Sequence, residues 1–238
     1  MDRHPQRHRR ADPAAGAPAP EPASTAPTAP TASVAPAGDA FARLRDEIAA
    51  DRANAAYTAM GWRPLVFGSA GSRVLLISQA PGRKAQASGI PFDDASGARL
   101  LGWLGVGRAE FDDPARFAIV PMDFYYPGKG TSGDLPPRPG VAEAWHPRIL
   151  PLLRPRLTVL IGAHAQRLHL GAARGATLTE TVHAWRDHAP GIVPIVHPSP
   201  LNVGWLRRNP WFEDELVPDL RARVATALAE DADHLSID

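Results

Sequence analysis

Four short apolar runs, each followed by a Pro or Gly within a few residues, constrain the fold of this chain more than any other feature. The runs are Val74–Ile77, Phe117–Val120, Leu157–Ile161 and Ile192–Val196. Runs of this length suit strands that are buried on both faces of a sheet. Helical patterns separate the runs, and alternation of strands with helices is typical of a parallel sheet. The sequence therefore predicts an α/β fold with a central, mostly parallel four-stranded sheet flanked by helices in a three-layer sandwich.

The helices are predicted from apolar spacing and capping residues. Residues 39–59 form one helix with Asp39 as its cap, and Gly97–Leu104 form another that is capped by Ser96. Further helices are predicted at Trp145–Leu153, between Gly162 and Leu170, and within Glu213–Glu230, the last starting near Pro218.

Composition divides the chain into three parts. Residues 1–38 are rich in Ala and Pro and have no large aromatic side chains, so we expect a disordered leader. Its arginines could attract nucleic acid weakly, or the leader could have no role in the chemistry. Residues 39–230 form the predicted domain, and residues 231–238 form a C-terminal tail.

Several classes of protein are excluded by what the sequence lacks. The chain has no Cys, which excludes disulfide bonds, a thiol nucleophile and any cluster or zinc site built on thiolates. No run approaches the ~20 apolar residues of a membrane span. The net charge is only +1, so a DNA-binding face must be a local patch. We expect an intracellular, cytoplasmic monomer that requires no cofactor and no metal.

The segment His197–Asn202 is the most informative candidate for chemistry. His197 ends an apolar run, and two prolines fix the backbone that follows it. An isolated His is more often structural, but this rigid frame favours a positioned donor. Leu201 and Leu206 are candidates for an apolar side chain that enters a nucleic acid stack.

Two earlier segments have both a structural and a functional interpretation. Gln79 lies in a strand-to-turn segment that either only turns the chain or binds a small polar ligand with its amides and side chain. Phe92 could anchor the core or stack on a planar ring. Asp94 could sit in a turn or act as a carboxylate that holds water.

The Gly- and Pro-rich loop at residues 126–139 is the third candidate region. A loop of this length within a domain is usually functional or disordered. Lys129 and Arg138 give it a composition that suits a phosphate backbone, but it lacks the Walker A pattern. Arg207 and Arg208 lie among aromatic residues and also suit phosphate contacts.

The order of these segments resembles the uracil-DNA glycosylase superfamily over roughly residues 70–220. The matching motifs are SQAPG at 78–82, SGIPFDDASG at 88–97, YYPG at 125–128 and HPSPLN at 197–202, followed by Trp205. The first motif is similar to the branch with Gly-Glu-Ala-Pro-Gly, whose members commonly carry a four-iron cluster.

The sequence departs from that branch in three places. It has no cysteines for the cluster, and Tyr125 stands near the position of one of them. Gln79 replaces the Glu of the branch, and Ala80 stands where the classical enzymes carry a catalytic Asp. The Asn that reads the edge of uracil in many members should fall within residues 121–123, and it is absent.

The resemblance implies a role for each matching residue. Gln79, Ala80 and the neighbouring amides contact an extruded base, and Phe92 stacks on it. His197 donates a hydrogen bond to O2 of the base, and Asp94 positions water. Asp123 is the second candidate for positioning water, or it reads the edge of the base. The DNA-contacting residues are then Lys129, Arg138, Ser199, Leu201, Asn202, Arg207 and Arg208.

Two functions follow from the resemblance. The first is a monofunctional glycosylase that flips out and hydrolyses uracil, or a related deaminated base, from DNA in base-excision repair. The alternative is a catalytically weak or inactive protein on the same fold that binds uracil-DNA. A small-molecule hydrolase is a remote third possibility, because the chain lacks a GxSxG nucleophile motif.

Overall fold

The computed structural model describes residues 37–188 and 190–229. Residues 1–36 of the expected leader and the expected tail at residues 231–238 lie outside the described residues, so the predicted boundaries stay predictions. None of the helices within the described residues is long and apolar enough to cross a membrane.

A four-stranded parallel sheet forms the centre of the fold, as the apolar runs predict. The strands within the described residues are β1 Val74–Ile77, β2 Phe117–Ile119, β3 Lys129–Gly130, β4 Gly133–Asp134, β5 Leu157–Ile161 and β6 Ile192–Ile195. The order in the main sheet is β2-β1-β5-β6, and every neighbouring pair is parallel. The remaining two strands, β3 and β4, pair as an antiparallel hairpin within the Gly/Pro-rich loop.

The helices agree with the predicted order, with several corrected boundaries. Those described are α1 Ala37–Ala50, α2 Ala55–Ala59, α3 Arg83–Ser88, α4 Ala95–Leu104, α5 Arg108–Phe111, α6 Val141–Ile149, α7 Ala163–Leu170, α8 Leu178–His183, α9 Val203–Arg208 and α10 Val217–Leu228. Short 3₁₀ turns span Arg52–Asn54, Leu150–Leu152, Gly171–Ala173 and Pro200–Asn202, and a π-helical turn spans Phe212–Leu216.

Several helix predictions are wrong in detail. The helix predicted at Trp145–Leu153 begins at Val141 and ends at Ile149, and a 3₁₀ turn follows it. The first helix begins at Ala37, so Asp39 lies inside it rather than at its cap. It also ends at Ala50, because the side chain of Asp51 accepts a hydrogen bond from the Ala53 amide and starts a new turn. The cap of α4 is Asp94 and not Ser96, since Asp94 Oδ1 accepts the Gly97 amide at 2.9 Å.

Two hydrophobic layers cover the two faces of the sheet. Val74 and Leu76 point to one face, where they pack with residues of α4, α8 and α10. Leu75 and Ile77 alternate with them and pack on the other face with residues of α1, α6 and α7. Alternation of side chains along a strand produces this division, and it confirms the predicted three-layer sandwich. The carboxyl ends of all four strands therefore meet at one edge of the sheet, where open α/β sheets bind ligands.

Candidate functional site

A cavity of about 810 Å³ lies at this edge of the sheet. Its wall is built by the segment after β1, the loop before α4, the β3–β4 hairpin and the segment after β6. The structure brings together nine of the residues that the sequence nominates. These are Gln79, Ala80, Phe92, Asp94, Lys129, His197, Ser199, Leu201 and Asn202.

His197 is held with one ring nitrogen already occupied. Its Nδ1 lies 3.2 Å from the backbone amide of Ser199, which can only donate. Nδ1 is therefore the acceptor, and neutral His197 carries its proton on Nε2. The carbonyl oxygen of His197 accepts the side-chain amide of Asn202 at 2.8 Å, which fixes the turn that carries the ring. The cavity thus receives an N–H donor whose direction is fixed by the backbone around it.

The surroundings of His197 favour its neutral form. Burial lowers the pKa of His197 below its ordinary value, and the negative charge of Asp94 partly offsets this. Gly162, at φ 84°, passes beneath the ring, because a Cβ at that position would lie 3.5 Å from the His197 Cβ. Arg99 donates from Nη1 to the carbonyls of Pro198 and Ser199 at 3.1 and 3.2 Å, which fastens this loop to α4.

The two oxygens of the Asp94 carboxylate have different surroundings. Oδ1 caps α4, as the turn interpretation expects. Oδ2 lies 3.2 Å from the point that a Cβ of Gly82 would occupy, so it faces the segment after β1 inside the cavity. Asp94 can therefore cap α4 through Oδ1 while Oδ2 faces the cavity, so its structural and functional interpretations are compatible.

Phe92 lines the cavity in a strained backbone conformation. Its φ is 54°, the only positive value at a non-glycine residue in the described chain, and its ring packs edge-on against Phe111 at 6.0 Å. Arg108 donates to the carbonyls of Pro91 and Phe92 at 3.0 and 3.3 Å from the opposite side of the loop. A bulky residue with positive φ is uncommon and persists only where its neighbours impose it.

Asp123 and Arg138 are placed outside the cavity, where they bind each other. Asp123 is fully buried, and its two oxygens accept Nη2 and Nε of Arg138 at 2.8 Å each. Arg138 also donates to the side chain of Asn54 and lies over the ring of Tyr57 at 4.6 Å. Neither residue lines the cavity. Their charged groups bind each other instead.

Of the remaining candidates for DNA contact, Lys129 and Leu201 line the cavity, whereas Leu206, Arg207 and Arg208 do not. Lys129 is exposed and only loosely paired with Asp134, at 3.7 Å. Leu201 is 73% exposed, while Leu206 is partly buried against the core. Arg207 and Arg208 are exposed on α9 but do not line the cavity.

Among the cavity-wall residues that the sequence does not nominate are Asp134 and Leu135. Asp134 accepts the hydroxyl of Tyr126 at 3.2 Å, and its Oδ2 lies 4.0 Å from the Cβ position of Gly82. Leu135 follows it and is 43% exposed. The signal available was the Gly-Asp-Leu-Pro segment, in which a charged and an apolar residue stand between a turn glycine and a proline.

Comparison with protein families agrees with the motifs and the fold. Residues 65–221 match the Uracil DNA glycosylase superfamily. This range covers more than half of the chain, all four parallel strands and every loop that lines the cavity. The family acts on DNA and its type of activity is that of a DNA glycosylase. By its sequence match, its parallel sheet and the position of its cavity, the chain belongs to the uracil DNA glycosylase superfamily.

Proposed function

We propose that this protein flips uracil, or a related deaminated base, out of DNA and hydrolyses its bond to the sugar, as a monofunctional glycosylase of base-excision repair. The observation that carries the proposal is the fixed Nε2–H donor of His197, which shares one cavity with the carboxylate of Asp94. The expected partner is DNA that contains such a base, and the protein acts as a monomer without a cofactor.

The reaction creates two charges that these residues can stabilise. As the base–sugar bond breaks, the sugar becomes cationic and the departing base becomes anionic. His197 donates to O2 of the base, and a donor fixed in this way is typically worth ~10²–10³ in rate. Asp94 stabilises the sugar cation and orients the attacking water through the oxygen that the helix cap leaves available.

The other residues of the wall bind the base and the strand. Phe92 stacks on the extruded base, and Gln79 with the amide of Ala80 contacts its polar edge. Leu201 fills the gap in the DNA stack, which offsets part of the few kcal/mol that extrusion costs. Lys129, Ser199 and Asn202 contact the strand around it.

The test is base release from defined oligonucleotides. Purified protein is incubated with DNA that contains uracil, hypoxanthine or xanthine, in single- and double-stranded form, and abasic sites are then cleaved with alkali. We expect strand cleavage for at least one of these bases. No cleavage with any of the three would contradict the proposal.

A second candidate is a catalytically weak protein that binds uracil-DNA. It is favoured by Ala80, which supplies no carboxylate, and by Asp123, whose pairing with Arg138 withdraws it from the cavity. It predicts tight binding without base release, together with loss of affinity when Arg207 and Arg208 are both replaced by Ala. The control is Arg167→Ala/Arg174→Ala, two exposed arginines elsewhere on the surface. Equal affinity of the two double variants would count against this candidate.

A further inference from the structure

Exposed apolar side chains concentrate at the mouth of the cavity. Among the described residues, four large hydrophobic side chains are exposed: Met60, Ile90, Leu135 and Leu201. Leu135, at 43%, and Leu201, at 73%, both line the cavity. Single exposed apolar residues are common, but two at the rim of one cavity indicate a binding surface.

Both leucines pack on the β3–β4 hairpin. Cβ positions built at Gly128 and Gly130 lie 3.3 Å from the methyl groups of Leu135. A Cβ at Gly133 would lie 3.1 Å from Cδ1 of Leu201. The absence of side chains at these glycines lets both leucines pack directly on the hairpin backbone, which sets the distance between them.

The base of the hairpin is firmly held. The Leu135 amide donates to the Gly128 carbonyl at 2.9 Å, and the Tyr126 hydroxyl donates to Asp134. Three residues after Leu135, Arg138 enters the buried pair with Asp123. Two prolines fix φ in the segment between. The backbone around Leu135 is therefore fixed before DNA binds. The protein then loses little conformational entropy there on binding.

We propose that Leu135 is a second wedge, which enters duplex DNA beside the extruded nucleotide while Leu201, which packs on the same hairpin, fills the gap that the nucleotide leaves. The inference rests on the proposed function, since it assumes that DNA occupies the mouth of the cavity. Extrusion of a base exposes two apolar surfaces, the gap in its own strand and the unpaired base opposite. Two apolar side chains held at a fixed separation can cover both surfaces.

The test compares double- and single-stranded substrates of the same sequence. We expect Leu135→Ala to lower the single-turnover rate on duplex uracil-DNA about 10-fold, on the scale of one lost stacking contact. On single-stranded DNA the change should be less than about 2-fold, because no stack needs filling. Leu135→Met should restore the duplex rate. Met60→Ala, which removes an exposed apolar side chain outside the cavity, is the control. An equal loss on both substrates, or no loss, would overturn the proposal.

A binding measurement separates this inference from the proposed function. 2-Aminopurine placed next to uracil in a duplex fluoresces more strongly when its stack is opened. A wild-type protein that raises this fluorescence without releasing base, while Leu135→Ala does not raise it, would support the wedge and contradict the glycosylase. A wild-type protein that releases base, with Leu135→Ala unchanged in both assays, would support the glycosylase and overturn the wedge. A wild-type protein that does neither would overturn both.

Discussion

The carbonyl oxygen of Phe92 lies 1.7 Å from the point that a Cβ at Gly97 would occupy, so only glycine fits at position 97. This close approach seats α4 directly on the strained turn of Phe92. The same turn orients the ring of Phe92 and the carboxylate of Asp94 toward the cavity. A left-handed conformation of a bulky residue costs about 1–3 kcal/mol, which the surrounding contacts must offset.

Arg108, which does not line the cavity, makes contacts that offset part of this conformational cost. It binds the carbonyls of Pro91 and Phe92 and forms a two-point ion pair with Asp112. We expect Arg108→Met to lower the single-turnover excision rate about 10-fold, because misplacement of a catalytic group by an ångström can cost up to ~10² in rate. Single-turnover kinetics of uracil release from uracil-containing DNA measure this change in rate.

A double-variant cycle distinguishes positioning from general destabilisation. If Arg108 acts through the loop that carries Asp94, Arg108→Met should have little further effect in an Asp94→Asn background. Arg116→Met, which removes surface ion pairs with Glu110 and Asp113, is the control and should leave the rate unchanged. Additive losses in the double variant would show that Arg108 does not act through Asp94.

Asp94→Asn isolates the charge of Asp94 from its structural role. Asn is as good a helix cap as Asp, so α4 should keep its first turn and the protein its stability. We expect a loss of about 10- to 1,000-fold in single-turnover rate with nearly unchanged affinity for DNA, the scale of a lost electrostatic contact in a transition state. A wild-type rate would move the water-positioning role to another residue, and Asp134 is the other carboxylate in the cavity wall.

The buried pair of Asp123 and Arg138 should matter for stability. Removal of one partner leaves an uncompensated buried charge, which costs about 3–5 kcal/mol. We expect Arg138→Met to lower the free energy of unfolding by about this amount, as measured with urea. Arg63→Met removes an exposed pair with Asp46 and should cost about 0–1 kcal/mol. Similar losses in the two variants would contradict the account of this pair.

The sequence predicted the sheet and the convergence of the loops, but it could not predict this pair. Apolar runs such as Val74–Ile77 identify buried strands directly, and parallel strands bring their carboxyl ends together. Asp123 and Arg138 looked like ligands of the base and of phosphate, because charged residues in loops usually face solvent. They are buried as a pair partly because Asn54 and Tyr57, which are distant in sequence, contact the Arg138 side chain.

The β3–β4 hairpin could not be predicted from sequence patterns either. Strands of two residues leave no periodicity, and the glycines and prolines around Lys129 indicate only a loop. The positions of Asp134 and Leu135 in the cavity wall follow from that hairpin. His197 was predictable because its frame is local: the prolines and the Ser199 amide that fix it lie within three residues.

Buried His146 and half-buried His169 form a hydrogen-bonded pair that should make stability depend on pH. His146 Nε2 lies 3.0 Å from the Pro121 carbonyl and must donate to it, so His146 Nδ1 accepts from His169 Nε2 at 3.0 Å. Burial, followed by the proximity of His146, lowers the pKa of His169 to about 4. Protonation of either ring would add charge to this buried contact beside Pro121, a residue of the cavity wall.

The direction of the effect follows from that pKa. The folded pKa lies below the unfolded value of about 6.5, so the unfolded chain binds the proton more readily. The contribution of His169 to stability is therefore complete above about pH 6.5 and is lost as the pH is lowered toward 4. We expect His169→Gln to show a shallower fall in the free energy of unfolding over this range than the wild type. His188→Gln is the control, and an equally shallow fall there would contradict the assignment to His169.

The role proposed for His197 is to stabilise the departing base with its Nε2–H. Single-turnover release of uracil by the wild type and by His197→Ala, at saturating protein, tests it most directly. We expect the variant to be slower by about 10- to 1,000-fold with little change in affinity for DNA, as for other lost oxyanion donors. Release of uracil at the wild-type rate by His197→Ala would contradict the claim.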